Sequence, residues 1–174
     1  WHNINTGTFD IENNINSNYM SEVFNAYDGT NKALGPGAHI EGADNSSNGR
    51  FTHAEGQHNL AVWECAHAEG KYTRAIYDTA HAEGYKTEAY SAYSHAEGNG
   101  TSTQGQSSHA EGSYSTAAGN SSHAEGYETI ASGAYSHSEG YCTSTSGAYA
   151  HSEGLHTTAV GNVSHSEGSY CAAN

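Results

Sequence analysis

The stretch SHAEGYETIASG, residues 122–133, contains the unit that decides the fold. It states one pattern twice: a hydroxyl or small residue, a variable residue, Ala, a variable residue and Gly, at 122–126 and again at 129–133. Small and variable residues alternate with a period of two, which is typical of β-strands, and the Gly after each run predicts a turn. One unit therefore predicts one coil made of two short strands and two tight turns.

The unit recurs every 14 residues, and each copy places Glu two residues and Gly three residues after a His. The ten His are His39, His53, His67, His81, His95, His109, His123, His137, His151 and His165. The ten Glu are Glu41, Glu55, Glu69, Glu83, Glu97, Glu111, Glu125, Glu139, Glu153 and Glu167. A fixed period of this length predicts a solenoid whose coils stack in parallel, so ten coils at about 4.8 Å make a rod of roughly 48 Å.

We therefore predict an all-β fold, a parallel β-roll or solenoid of about ten 14-residue coils over residues 38–174. Its inward positions carry only Ser, Thr, Ala or Gly, so the two strands of each coil must lie close together. Residues 1–37 do not repeat, and we expect them to form an N-terminal cap or connector, as strands with one helical turn near residues 21–27. The chain opens without Met and stops part-way through a repeat, so we expect a piece of a longer protein.

Composition excludes several partners. The chain has 174 residues, a net charge of -14 and 19 acidic against 5 basic residues, which argues against nucleic acid because phosphate binding needs clustered cations. It holds no apolar run of membrane-spanning length. Only 34% of the residues are hydrophobic, so a single thin rod buries little apolar area, and we expect identical rods to associate side by side.

His and Glu two residues apart on a strand face the same way, so stacked coils predict a column of ten His beside a column of ten Glu. We favour a structural role in which His donates a hydrogen bond to Glu of the same or a neighbouring chain, and we expect no metal and no cofactor. The alternative is a metal site, because imidazole with carboxylate suits zinc. Pairing with Glu would raise the pKa of each His, whereas repulsion within the column would lower it.

No catalytic site is expected. Ser precedes His in many units, but adjacent strand residues such as Ser122 and His123 point to opposite faces and cannot share a proton. Many Tyr residues lie at or beside the turns. Tyr85, Tyr127 and Tyr141 are candidates for binding a host glycan or protein, and the alternative is that turn Tyr residues stack between coils and shield the backbone.

The half-repeat Ser-x-Ala-x-Gly resembles the head repeats of trimeric autotransporter adhesins, and its Ser-His-Ala-Glu-Gly form, at 94–98, 108–112 and 122–126, is similar to repeats of phage tail-fibre proteins. The resemblance implies a left-handed parallel β-roll in a tight homotrimer, with His and Glu at the positions that face the trimer interior. The resemblance also implies an extracellular location, on a virion tail or a bacterial cell surface. The expected function is a structural fibre involved in host attachment, and the alternative is an adhesin head that binds a receptor through Tyr-rich turns.

Overall fold

The chain forms a parallel β-solenoid. The structure, a computed structural model, describes residues 22–25 and 31–174. The strands are β1 (Glu22–Asn25), β2 (Lys32–Ala33), β3 (His39–Ala43), β4 (Ser46–Ser47), β5 (His53–Gln57), β6 (Leu60–Ala61), β7 (His67–Lys71), β8 (Arg74–Ala75), β9 (His81–Tyr85), β10 (Glu88–Ala89), β11 (His95–Asn99), β12 (Ser102–Thr103), β13 (His109–Ser113), β14 (Thr116–Ala117), β15 (His123–Tyr127), β16 (Ile130–Ala131), β17 (His137–Tyr141), β18 (Ser144–Thr145), β19 (His151–Leu155), β20 (Thr158–Ala159), β21 (His165–Ser169) and β22 (Ala172–Ala173).

The strands belong to two parallel sheets of 11 strands each, the odd-numbered strands in one and the even-numbered strands in the other. Equivalent residues of successive coils are neighbours, as His123 pairs with His137 and Glu125 with Glu139. The predicted all-β solenoid with a 14-residue coil is confirmed. The two strands of a coil are unequal, five residues in the first sheet and two in the second, although the half-repeat predicts similar ones.

The solenoid begins before the first His-containing unit. β1 pairs with β3 in parallel, with Glu22 beside His39, which is a step of 17 residues instead of 14. The helical turn predicted near residues 21–27 is wrong for 22–25, which form a strand. Residues 1–21 and 26–30 lie outside the described residues, so the cap stays a prediction. Within the part of the chain that the structure describes, no helix is long and apolar enough to cross a membrane.

The core consists mainly of small side chains, as predicted, but the expectation of only Ser, Thr, Ala or Gly is wrong at Ile40, Asn45 and Asn59, which are also buried. Ser122, Ala124, Thr129 and Ala131 are buried, and Thr73, Thr87, Thr101, Thr143 and Thr157 occupy the same inward position as Thr129. Most buried hydroxyls are paired: where Ser replaces the Ala of the unit, at Ser138, its hydroxyl lies 2.8 Å from that of Thr143. The exceptions among the described hydroxyls are those of Thr87 and Ser166. A closely packed coil therefore satisfies most of its inward hydroxyls although it contains almost no large aliphatic side chains.

An asparagine ladder, which the repeat analysis missed, lines the first coils. The Asn59 amide oxygen accepts from the Thr73 backbone N–H at 2.9 Å, and the Asn45 amide oxygen accepts from the Asn59 N–H at 2.8 Å. The Asn59 side-chain amide also donates to the Gly70 carbonyl at 2.8 Å. From Thr73 to Thr157 Thr or Ser takes this position, so a shorter side chain fills the same buried corner. In the last coil the position is Cys171, which is exposed.

The two glycines of the unit serve different needs. The Gly that follows Glu has a φ between 93° and 115° in every coil, and a Cβ on Gly126 would lie 2.1 Å from the Gly140 carbonyl oxygen. Gly133, in the second half, has no positive φ, but a Cβ there would lie 1.9 Å from the Gly147 carbonyl oxygen. The turn does begin at this second Gly, since the Ser136 N–H donates to the Gly133 carbonyl at 3.3 Å, but the left-handed conformation falls two residues later, on Tyr135.

Candidate functional site: the His–Glu columns and the tyrosine turns

The ten His form one continuous column because each begins the long strand of its coil and the strands pair in register. From His53 to His165, successive rings are stacked with centroids 4.6 to 4.9 Å apart and planes within 23° of parallel. His39 and His53 meet edge to face at 4.9 Å. Glu follows on the same outer face, so the predicted columns are present.

The predicted hydrogen bond between His and Glu is not formed within the chain. In seven coils the imidazole Nε2 lies 3.6 to 4.0 Å from a carboxylate oxygen of the Glu two residues later, which is beyond hydrogen-bond length. Eight Nε2 atoms are inaccessible to solvent and have no hydrogen-bond partner among the described residues, namely those of His53, His67, His81, His95, His109, His123, His137 and His151. Such atoms cost free energy until a partner satisfies them.

The surroundings of the His column lower its pKa values. Desolvation is the largest cause, and the neighbouring imidazoles lower the pKa further. The Glu carboxylates raise the pKa, but by less than the other two causes lower it. The affected residues are His53, His67, His81, His109, His137 and His151. The pKa increase predicted from pairing is therefore wrong for these six, and the alternative of mutual repulsion has the correct sign.

Five groups within the columns could hold a metal ion. Each consists of a His, the Glu two residues later and the His of the next coil, and its three ligand atoms lie within 4.8 Å of one another. The groups are His67–Glu69–His81, His81–Glu83–His95, His95–Glu97–His109, His123–Glu125–His137 and His137–Glu139–His151. Two imidazoles with one carboxylate form a ligand set that suits zinc and related ions.

The tyrosine turns present an aromatic surface at one edge of the coil. Tyr85, Tyr127 and Tyr141 are 42%, 38% and 47% exposed. Tyr127 stacks on Tyr141 at 5.0 Å, while Tyr85 meets Tyr72 edge to face at 6.2 Å. These Tyr residues therefore pack against aromatic rings of neighbouring coils and also expose part of each ring to solvent. The structure is compatible with both roles that the sequence suggests for them.

A second aromatic column, which the sequence analysis did not separate from the first, follows the other turn of the coil. Tyr135 and Tyr149 stack there at 5.0 Å, and both have a positive φ. The signal was present in the spacing, since both residues lie 12 positions after a unit His, whereas Tyr85, Tyr127 and Tyr141 lie four positions after one.

In the five units where Ser precedes the His, the Ser hydroxyl donates to the backbone carbonyl three residues earlier and not to the imidazole. Ser122 is buried and donates a hydrogen bond from its hydroxyl to the Gly119 carbonyl at 2.7 Å, while His123 lies on the outer face. Neither residue is placed to activate the other.

No model of a known protein family matches the chain, and no curated protein matches it. The fold and the two surfaces described above are therefore the basis for the function.

Proposed function

We propose that this chain is a structural fibre domain, part of a phage tail fibre or a similar extracellular appendage that takes part in host attachment. The observation that carries the proposal is the unbroken register of two parallel 11-stranded sheets along one axis. Each coil contacts only its neighbours, so the number of units sets the length, and the backbone ladders give stiffness along the axis. A role in length and stiffness needs the same unit many times, whereas an enzyme needs one distinct site.

The proposal includes assembly into a homotrimer. The only large aliphatic side chain fully buried among the described residues is Ile40, and the rest of the core is Ala, Ser, Thr and Asn. Burial of so little apolar area offsets only part of the conformational entropy that the backbone loses on folding. Contact between rods would bury more area and stabilise the fold. The His–Glu face, with its unsatisfied Nε2 atoms, is the surface that gains most from a polar partner.

The assembly is tested by light scattering on the chain in a chelating buffer. We expect a particle of three times the 18.3 kDa chain mass, and a folded monomer at micromolar concentration would contradict the trimer. Electron microscopy of the same sample should show short rods, because the coils stack at about 4.8 Å.

The second candidate function is an adhesin head on a bacterial surface, favoured by the exposed tyrosine turns. Replacing Tyr85, Tyr127 and Tyr141 together by Ser should abolish binding to host cells if these rings touch the receptor. The matched control replaces Tyr135 and Tyr149, which stack at the other turn, and should leave binding unchanged. Equal binding by both variants would favour the fibre without a receptor site at these Tyr residues.

A further inference from the structure

The outer face of the solenoid carries polar atoms that nothing in the described part of the chain satisfies. The Nε2 atoms of eight column His lack a hydrogen-bond partner among the described residues, although solvent does not reach them. The nearest groups are Glu carboxylate oxygens, as at His67, where Nε2 lies 3.8 Å from Glu69. An ion placed between two His of neighbouring coils would give both of their Nε2 atoms a partner.

We propose that the His–Glu columns bind divalent transition-metal ions, with zinc as the best match, in sites built from two His of neighbouring coils and the Glu between them. This inference goes beyond the proposed function and does not depend on the trimer. Two imidazole nitrogens and one carboxylate oxygen leave a fourth position, which water or a neighbouring chain can fill.

The distances fit after small side-chain movements. Ligand atoms of a tetrahedral zinc site lie about 2.0–2.2 Å from the ion, so two of them are separated by roughly 3.4 Å. In the structure the His95 Nε2 lies 3.7 Å from the Glu97 carboxylate, and the atoms of the group His95–Glu97–His109 lie within 4.8 Å of one another. The two imidazoles must tilt out of their parallel stack, which half-exposed side chains at the surface can do.

Charge also favours a cation at this face. The Glu carboxylates recur at every coil, and the chain has 19 acidic residues against 5 basic ones. Arg74 pairs with Glu88, outside the column, at 3.6 Å. Divalent ions along the column would reduce the repulsion between successive carboxylates.

The sharing of His residues between groups limits the number of ions. Each His offers one ligand atom, so two groups that share a His cannot both be filled. Of the five groups, three can be complete together: His67–Glu69–His81, His95–Glu97–His109, and one of the two that share His137. The structure therefore predicts three zinc ions per chain.

His137 belongs to two groups and His123 to only one, so replacing each in turn should give different numbers of bound ions. Replacing His137→Gln removes both groups of the last run, so the number of bound ions should fall from three to two. Replacing His123→Gln removes only one of them, and His137–Glu139–His151 remains, so the number should stay at three. Both residues belong to the same stacked column, which makes them matched in packing.

Two further variants separate the column sites from His residues elsewhere and from the imidazoles alone. His156→Gln changes a His that stacks on Tyr170 outside the column, and it should still bind three ions. The double change Glu125→Gln with Glu139→Gln keeps all imidazoles and removes the carboxylates of both groups, and it should bind two. This variant tests the site if His137→Gln fails to fold.

The experiment is a calorimetric titration of each chelator-treated variant with zinc, with cobalt(II) as a spectroscopic probe. We expect three zinc ions for the original chain. We also expect intense visible bands from cobalt(II), since four-coordinate tetrahedral cobalt(II) gives such bands, and these bands should weaken in the His137 variant. Fewer than one ion per chain, equal numbers for the His137 and His123 variants, or a loss in the His156 variant would overturn the proposal.

Light scattering of the same samples keeps the two proposals separate. A trimer in chelator that binds no zinc would refute the metal sites alone. A monomer that binds three zinc ions would refute the assembly alone.

Discussion

At the scale of the residue, the fold depends on backbone conformations that most side chains disfavour. The 18 described non-glycine residues with positive φ lie between 50° and 60°, one at each turn of nearly every coil. A left-handed conformation costs an L-residue about 1–2 kcal/mol. It is held by the ladder, since the Tyr149 N–H donates to the Ala134 carbonyl at 2.9 Å, and equivalent bonds recur along the solenoid.

Val163 gives the clearest test of this strain. It is β-branched, 76% exposed and has a φ of 60°. Replacing Val163→Gly should stabilise the solenoid by about 0.5–1 kcal/mol, because the relief of strain exceeds the added entropy of the unfolded chain. Chemical denaturation measures the change.

The control is Val160→Gly in the same coil. Val160 is 50% exposed and has no positive φ, so Gly there should destabilise the fold by about 0.5–1 kcal/mol. If both variants lost stability equally, the left-handed strain would not be a real cost.

These turn conformations could not be predicted from the Tyr residues themselves, because a bulky side chain is rare at positive φ. The signal lay in the residues at the same turn positions of other coils. Gly100 and Asp44 occupy one turn position and Gly37 the other, and Gly and Asp tolerate the left-handed region. The buried positions were predictable, because Ser122, Ala124 and Thr129 follow the period of two.

At the scale of the element, the stacking of long strands builds the His–Glu columns. The sequence predicted the columns, because a 14-residue step brings equivalent residues together. It could not predict their titration, since this depends on separations of 3.6 to 4.0 Å and on desolvation of the stacked rings.

The lowered pKa values predict that acid weakens the solenoid. Six column His have pKa values below the ordinary 6.5, chiefly through desolvation, so the unfolded chain takes up protons more readily. Their contribution to stability is fully present above about pH 6.5 and is lost as the pH falls through 6.5 towards the folded values. In chelator, the melting temperature should fall from pH 7.5 to 5.5.

A melting temperature that rises over this interval would contradict the stacked-column geometry and support pairing with Glu. The raised pKa of Glu111, caused by desolvation and by neighbouring carboxylates, acts with the opposite sign. It stabilises the fold at acid pH, below about 4.5, and is lost as the pH rises through the folded value. Glu111 is one group against six His, so melts at pH 7.5 and 5.5 report mainly the His.

At the scale of the whole molecule, the period alone predicted the solenoid and its axis. The sequence did not predict that the sheets extend to Glu22–Asn25, because β1 and β3 are related by 17 residues and share no motif. The Asn ladder was missed for a similar reason, since it occupies only the first coils and then gives way to Thr. Features that recur in every coil could be predicted from the sequence, whereas features confined to the N-terminal end of the solenoid could not.

The central claim is that the chain is a rod whose length is set by whole 14-residue coils. Deleting residues 109–150 removes three coils and joins Ser108 to His151, which restores the Ser-His step in register. Small-angle X-ray scattering should show a folded rod shorter by about 14 Å. Deleting only 109–146 removes fewer residues but leaves one coil with four residues too many, so this chain should have a lower melting temperature than the first. An unfolded chain from the first deletion, or a second deletion as stable as the first, would contradict the claim.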